Sequence, residues 1–312
     1  MRDRPGTLST LLLAVLLVAA APASAQKKPV IGVSLASQTN PLYVAMEKGI
    51  RDRAAELGVE VRFVVANEDQ ARQVNGVQDL LTQRVDAILI SPISVEGAQV
   101  AYEEANKAGV PILSIARNLN KPQLEWAMIG KDWKAAGHTT AEWLAKRLGG
   151  KGRIAVLAGP AGASFAMEQV AGLREVVGKH PGMEIVATAN SPLTKEQGIR
   201  LMQGILTANP RLDAVFAVND ELALGAIQAT EEVGRAREIV FTGFNGAPAA
   251  LEAVRAGKLH LTTSLKPYSW GVLGLDTALR VAREKQRVGL VEIRTQLVEG
   301  ANVNALKPED LR

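Results

Sequence analysis

The chain has 312 residues, a formal net charge of +4 and no cysteine, so disulfide bonds and thiolate metal sites are excluded. This length exceeds the size at which one hydrophobic core usually keeps growing, which predicts two domains. Charged residues make up 22% of the chain and carry both signs along helix-like stretches such as 47–60. That pattern is typical of solvated helix faces and not of a nucleic-acid-binding patch.

The first 25 residues have the pattern of an export signal. Arg2 and Arg4 give a positive start, Leu8 to Ala20 form an apolar run, and small residues lead up to Ala25. The apolar run is too short to cross a bilayer. We therefore expect residues 1–25 to be a signal peptide that is removed after Ala25, leaving a soluble exported protein.

Short β-branched runs alternate with helical patterns along the rest of the chain, which predicts parallel sheets covered by helices. The predicted strands are Val30–Leu35, Val59–Val65, Ala87–Ile90, Ile112–Ile115, Ile154–Ala158, Glu184–Ala189, Ala214–Val218 and Ile239–Thr242, with two later ones at Leu261–Leu265 and Glu292–Val298. The alternation of strand and helix patterns occurs twice, over about 30–129 and 134–242. The two later strands must pair with strands of these two repeats. We therefore expect two lobes, with a chain that crosses between them more than once.

Polar residues follow several of these strands at their carboxyl ends. They are Asn40, Ser91, Arg117, Asn219 and Asn245. In open parallel sheets, ligands bind beyond the carboxyl ends of the strands, so these five residues predict a binding site. Each also has a local alternative: Asn40 could only shape the turn before Pro41, and Asn219 could only cap a helix.

Other chemistry finds little support in the sequence. His138, His180 and His260 share no metal-ligand spacing, so we expect no metal site. Ser164 lacks the second glycine of a nucleophile elbow, which favours a helix N-cap over a nucleophile. Neither a Gly-Lys-Ser/Thr phosphate loop nor a dinucleotide fingerprint occurs. We expect a protein that is not an enzyme and that needs no cofactor.

Several stretches in this order resemble one known family. They are Ile31-Gly32-Val33-Ser34 leading to Thr39-Asn40-Pro41-Leu42-Tyr43, then Val77-Gln78-Asp79-Leu80, Asp86 to Pro92, Gly109-Val110-Pro111-Ile112, Leu206 to Pro210, and Ala214 to Gly225 with its Asn219-Asp220-Glu221. The chain thus resembles the periplasmic substrate-binding proteins of the type I fold, in particular the ribose-binding branch that serves sugar ABC importers.

The resemblance implies an α/β fold with two Rossmann-like lobes, a three-stranded hinge and a ligand cleft between the lobes. The N-terminal lobe is expected at 29–130 plus 266–294, and the C-terminal lobe at 131–265 plus 295–312. The implied partners are a small-molecule ligand and an ABC permease with a separate ATPase subunit. The protein is expected to be a periplasmic monomer that binds no nucleic acid. The alternative is a ligand-sensing co-receptor for a sensor kinase or chemoreceptor.

The resemblance also assigns ligand-binding positions to Asn40, Tyr43, Arg117, Gln169, Asn219 and Asn245, to which the strand-end pattern adds Ser91. The chain departs from the family at four of its polar positions. Ala116 stands where the family has an aspartate before the arginine, Asn245 replaces another aspartate, and Leu265 replaces a glutamine. Gln169 stands at the position of a second-lobe arginine.

Two interpretations of Arg117 remain open at this point. A buried arginine that lacks its acidic neighbour needs another acceptor, which favours a ligand carboxylate or carbonyl, as in a sugar acid. Alternatively, Glu125 or another acidic residue pairs with Arg117 and the ligand is a neutral polyol. Most of the four tryptophans are expected in the core or hinge, with Trp133 as the candidate for ligand contact.

Overall fold

The structure, a computed structural model, describes residues 28–306. The predicted signal peptide and residues 307–312 of the predicted C-terminal lobe lie outside this range. Within it, no helix is long and apolar enough to cross a membrane.

Strands and helices alternate along almost the whole described chain. In chain order they are β1 (Ile31–Leu35), α1 (Pro41–Leu57), β2 (Val61–Val65), α2 (Gln70–Thr82), β3 (Ala87–Ile90), α3 (Val95–Lys107), β4 (Ile112–Ile115), β5 (Ala127–Gly130), α4 (Trp133–Arg147), β6 (Lys151–Leu157), α5 (Ser164–Val177), β7 (Gly182–Ala189), α6 (Lys195–Ala208), β8 (Ala214–Ala217), α7 (Asp220–Glu232), β9 (Val240–Thr242), α8 (Pro248–Arg255), β10 (Leu261–Ser264), α9 (Pro267–Glu284), β11 (Gly289–Glu292) and β12 (Gln296–Glu299). Short 3-10 helices occur at Ala236–Glu238 and Val303–Ala305.

The strands form two six-stranded sheets, one for each lobe. The first has the order β11-β5-β4-β3-β1-β2 and is parallel throughout. The second has the order β12-β10-β9-β8-β6-β7, in which β12 alone runs antiparallel to its neighbour. The α/β fold with two mainly parallel lobes is therefore confirmed.

The chain passes between the sheets at three places, after β5, after β10 and after β11. The prediction of one strand over Glu292–Val298 was wrong, because β11 ends at Glu292 in the first sheet and β12 begins at Gln296 in the second. The residues between them form the last crossing. Lys131, in the first crossing, donates a hydrogen bond of 2.8 Å to the hydroxyl of Thr295 in this one.

Two helix pairs, α4 with α5 and α6 with α7, approach each other closely through glycines. A Cβ atom built on Gly137 of α4 would lie 2.1 Å from the carbonyl oxygen of Gln169 in α5. The same distance separates a Cβ on Gly225 of α7 from the Lys195 carbonyl oxygen of α6. In these pairs the backbones touch where any side chain would clash. Gly137 thus fixes how far α5, which carries Gln169, lies from α4.

Candidate functional site

A cavity lies between the lobes, where the carboxyl ends of both sheets face each other. Its volume is only about 20 Å³, which is room for about one water molecule and well below the range for small-molecule sites. The lining residues are Asn40, Leu42, Tyr43, Ala116, Arg117, Trp133, Phe165, Gln169, Leu193, Asn219 and Asn245. Six of the seven residues predicted for the site therefore border one space, although they come from distant parts of the chain.

Ser91 is the predicted residue that does not line the cavity. It is fully buried behind Tyr43, and the two hydroxyl oxygens lie 2.9 Å apart. Burial also raises the pKa of Tyr43, which keeps its phenol neutral. Ser91 therefore fixes the orientation of the Tyr43 ring and does not face the cavity itself.

Asn40 and Asn219 cap helices and line the cavity at the same time. The Oδ1 atom of Asn40 accepts from the backbone N–H of Leu42 at 3.0 Å, and that of Asn219 accepts from Leu222 at 3.0 Å. Each cap uses only the amide oxygen. The Nδ2 atom of Asn219 is buried and has no hydrogen-bond partner among the described residues. The two sequence interpretations, cap and site, are thus compatible at this residue.

Gln169 places a whole amide group without partners at the cavity. Its side chain is fully buried, and neither Oε1 nor Nε2 has a hydrogen-bond partner within residues 28–306. The indole Nε1 of Trp133, another lining residue, has none in that range either. A buried polar group without a partner is costly. These groups together can offer several donors and one acceptor to a bound molecule.

Arg117 has a carboxylate partner that the sequence interpretation did not identify. Its Nη1 and Nη2 atoms donate to the two carboxylate oxygens of Glu68 at 2.9 and 2.7 Å. Glu125 instead accepts from the hydroxyl of Ser114 and from the backbone N–H of Leu119. Of the two interpretations of Arg117, the geometry therefore favours pairing with an acidic residue of the protein, and that residue is Glu68 from the loop after β2 and not Glu125.

Aromatic rings surround the Arg117 guanidinium. Its central carbon lies 5.6 Å from the ring centroid of Tyr43 and 5.1 Å from that of Phe165, which is on the opposite lobe. Trp133 packs against Phe165 with centroids 6.0 Å apart, and against Phe244 at 5.7 Å. Trp133 thus borders the cavity from within an aromatic cluster.

The other tryptophans lie away from the cavity lining. Trp270 is fully buried, while the indoles of Trp126 and Trp143 donate hydrogen bonds to Asn106 and Glu299.

Asp220 lies just beneath the loop that carries Asn245. It is fully buried and accepts hydrogen bonds from the hydroxyl of Thr262 at 2.6 Å and from the backbone N–H of Ala247 at 2.8 Å. Burial raises the pKa of this carboxyl to about 7. Asp220 thus ties the Asn245 loop to α7 and β10.

Hydrogen bonds between the lobes hold them closed over the cavity. The backbone N–H of Val95 donates to the carbonyl of Gly162 at 3.1 Å, and that of Asn118 donates to the hydroxyl of Ser164 at 3.2 Å. Ser164 was predicted to be an N-cap. It is instead the first residue of α5, where the capping residue is Ala163 and makes no side-chain bond. The Ser164 hydroxyl serves the contact between the lobes.

Sequence reasoning missed two polar or aromatic parts of the site. Glu68 follows β2 at its carboxyl end, so the same strand-end pattern that predicted Asn40 would have found it. Phe165 directly follows Ser164, and no pattern in the sequence distinguishes it from a core residue. Within the described part of the chain, no group of His, Asp and Glu side chains could hold a metal ion.

Comparison with known proteins gives consistent matches. A family model described as a periplasmic binding protein domain matches residues 31–286. The ribose import binding protein RbsB of Bacillus subtilis is 32% identical over 253 residues, covering 81% of this chain and 81% of that protein. The xylitol-binding protein of Mycolicibacterium smegmatis is also 32% identical, covering 81% of this chain and 70% of that protein.

A solved structure is similar over almost the whole described chain. It is an ABC transporter solute binding protein from Bacillus halodurans with bound myo-inositol, with a TM-score of 0.84 and 30% identity. The match covers 89% of this chain and 96% of that chain.

Proposed function

Because the chain belongs to the periplasmic binding protein domain family, we propose that it is a solute-binding protein that captures a small polar ligand by closure of its lobes. The ligand is a sugar, a polyol or a sugar acid, and the closed form delivers it to an ABC importer. The family consists of binding proteins, and in this proposal no bond of the ligand is broken.

The amide of Gln169 is the observation that carries this proposal. It is fully buried at the cavity, and its two polar atoms find no partner among the residues described. A ligand with several hydroxyl groups can both donate to the oxygen and accept from the nitrogen. Apolar ligands would leave both atoms unsatisfied, which favours a polyhydroxylated molecule.

We assign direct ligand contact to Asn40, Tyr43, Arg117, Gln169, Asn219 and Asn245, all of which line the cavity. Ser91 acts through Tyr43. The lobes of this proposal are 29–130 plus 266–294 and 131–265 plus 295–312. The membership of the strands in the two sheets supports this division over the described residues.

Import is favoured over sensing as the purpose of binding. The relative that is 32% identical over 81% of this chain is named a ribose import binding protein. The proposed partner is accordingly a membrane permease with a separate ATPase subunit. We place the protein in the periplasm as a monomer, after removal of residues 1–25.

Calorimetry on the protein without residues 1–25 tests the proposal, with ribose, xylitol and myo-inositol as probes. We expect saturable binding of at least one probe to a single site. A ligand at about a hundred times its dissociation constant adds about 2.7 kcal/mol to the free energy of unfolding, which raises the melting temperature measurably. No binding and no thermal shift with any sugar, polyol or sugar acid would contradict the proposed function.

A further inference from the structure

The ion pair between Glu68 and Arg117 determines the charge of the cavity. Arg117 is 2% exposed and donates to both oxygens of Glu68 in a two-pronged contact. Such paired hydrogen bonds between a guanidinium and a carboxylate are strong and fix both groups in orientation. The positive charge at the cavity wall is therefore already neutralised by the protein.

The backbone around Glu68 is arranged for this contact. Asn67 and Glu68 both have positive φ angles, of 51° and 58°, and the Glu68 N–H donates to the carbonyl of Ala36 at 2.7 Å. Next to them, Asp69 caps α2 through its side chain. The loop is thus held at both ends, and the Glu68 side chain extends from it to Arg117.

The outer mouth of the cleft is acidic as well. Apart from Glu68, whose charge is paired with Arg117, its charged lining residues are Glu196, Glu221 and the cation Lys195, which leaves a net negative charge. An anion that enters the cleft meets net negative charge first and then an arginine whose charge is compensated. A neutral polyol meets neither obstacle.

We propose that Glu68 is the specificity-determining residue of this site: by neutralising Arg117, it makes the cavity select neutral sugars and polyols and reject sugar acids. This inference rests on the proposed function. The Glu68 carboxylate is the acidic partner that Ala116 cannot supply, and it holds Arg117 in position.

The test compares neutral probes with their acids in calorimetry: ribose with ribonate, and xylitol with xylonate. The wild-type protein should bind the neutral member at least tenfold more tightly. Glu68→Gln keeps the shape of the side chain but frees the charge of Arg117, so the preference should shift by at least tenfold toward the acid. Glu252→Gln is the matched control, because it removes the same charge from an exposed glutamate–arginine pair outside the cleft, with Arg255 as the partner at 2.6 Å; it should leave the preference unchanged.

A wild-type protein that prefers the acid, or a Glu68→Gln variant with an unchanged preference, would overturn the inference while leaving the proposed function intact. Should the wild type bind no sugar, polyol or sugar acid, the proposed function would fail and the inference with it. If Glu68→Gln does not fold, the double variant Glu68→Gln/Arg117→Gln replaces it. We expect this variant to bind the neutral probe at least tenfold more weakly and still to reject the acid; wild-type affinity would overturn the role of the pair.

Discussion

Gln169 offers the sharpest prediction at the scale of single residues, because its buried amide has no partner among residues 28–306. Gln169→Leu keeps a similar volume and removes both polar atoms. We expect the affinity for the neutral probe to fall roughly 10- to 100-fold, since the ligand loses hydrogen bonds in a buried site. The melting temperature without ligand should stay the same or rise, because an unsatisfied group has been removed.

Calorimetry and thermal unfolding of the Gln169→Leu variant check both parts. Gln203→Leu is the control: Gln203 is exposed on α6, so this change should leave the affinity as in the wild type. A Gln169→Leu variant that binds with wild-type affinity would remove Gln169 from the site.

Asp220 predicts a dependence of stability on pH. Burial raises its pKa from the ordinary 3.8 to about 7. Between these pH values the folded protein holds a proton that the unfolded chain has released, so the free energy of unfolding falls as the pH rises from about 4 to about 7. One full proton corresponds to a slope of about 1.4 kcal/mol per pH unit, and above pH 7 the contribution levels off.

Urea unfolding of the wild type and of Asp220→Asn across this pH range isolates the effect. Burial also raises the pKa of the neighbouring Glu221, but that residue is present in both proteins and cancels in the difference. The difference between the two stability curves should decline with pH at up to the slope of one proton. Two parallel curves would mean that Asp220 does not titrate in this range.

Much of the lining of the site could be predicted from the sequence, whereas the pairing of Arg117 with Glu68 could not. Asn40, Arg117, Asn219 and Asn245 were found because parallel strands bring their carboxyl ends together at one edge of each sheet. The carboxylate that pairs with Arg117 comes from the loop after β2, 49 residues earlier in the chain. The pairing therefore depends on the conformation of that loop. Glu125, nearer in sequence, is engaged by its own loop. Ligand contact by these residues stays a prediction.

At the scale of helices and strands, the close contact between α6 and α7 predicts a large difference between two glycines. A Cβ on Gly225 would lie 2.1 Å from the Lys195 carbonyl oxygen, whereas a Cβ on Gly204 meets nothing within 4 Å. Gly225→Ala should therefore lower the free energy of unfolding by about 1–3 kcal/mol, since a backbone must move. Gly204→Ala should raise it by up to about 1 kcal/mol, because alanine favours the helix.

Urea unfolding of the two alanine variants measures both changes. Equal effects at the two positions would show that helix propensity, and not the contact between the helices, governs stability here.

Most strands could be predicted from their apolar runs, while the two sheet crossings near β5 and β11 could not. β5, Ala-Met-Ile-Gly, has a single β-branched residue and ends in glycine, so no β-branched run predicts a strand there. The β-favouring residues continue from β11 into β12 without a turn signal, so the sequence predicts one strand over Glu292–Val298. The structure divides this run because β11 belongs to the first sheet and β12 to the second.

At the scale of the whole molecule, the stability of the closed form contributes to the apparent affinity for the ligand. The Ser164 hydroxyl accepts from the Asn118 N–H across the lobes at 3.2 Å and does not border the cavity. Ser164→Ala should destabilise the closed form relative to the open form by about 1 kcal/mol. The apparent affinity should therefore fall up to about fivefold for every ligand. Calorimetry with two different probes checks this: both constants should change by the same factor. A changed ratio between them would indicate that Ser164 contacts the ligand directly.

The positions of α9 and β11 in the chain also decide the order in which the molecule can fold. α9 packs on α1 through Gly271, which lies close to the Met46 carbonyl, and β11 completes the edge of the first sheet. Both follow β6 to β10 of the second sheet, so the first lobe cannot finish its core until most of the second lobe has been synthesised. A chain that stops before β11 would lack an edge strand in each sheet, and both lobes would remain incomplete together.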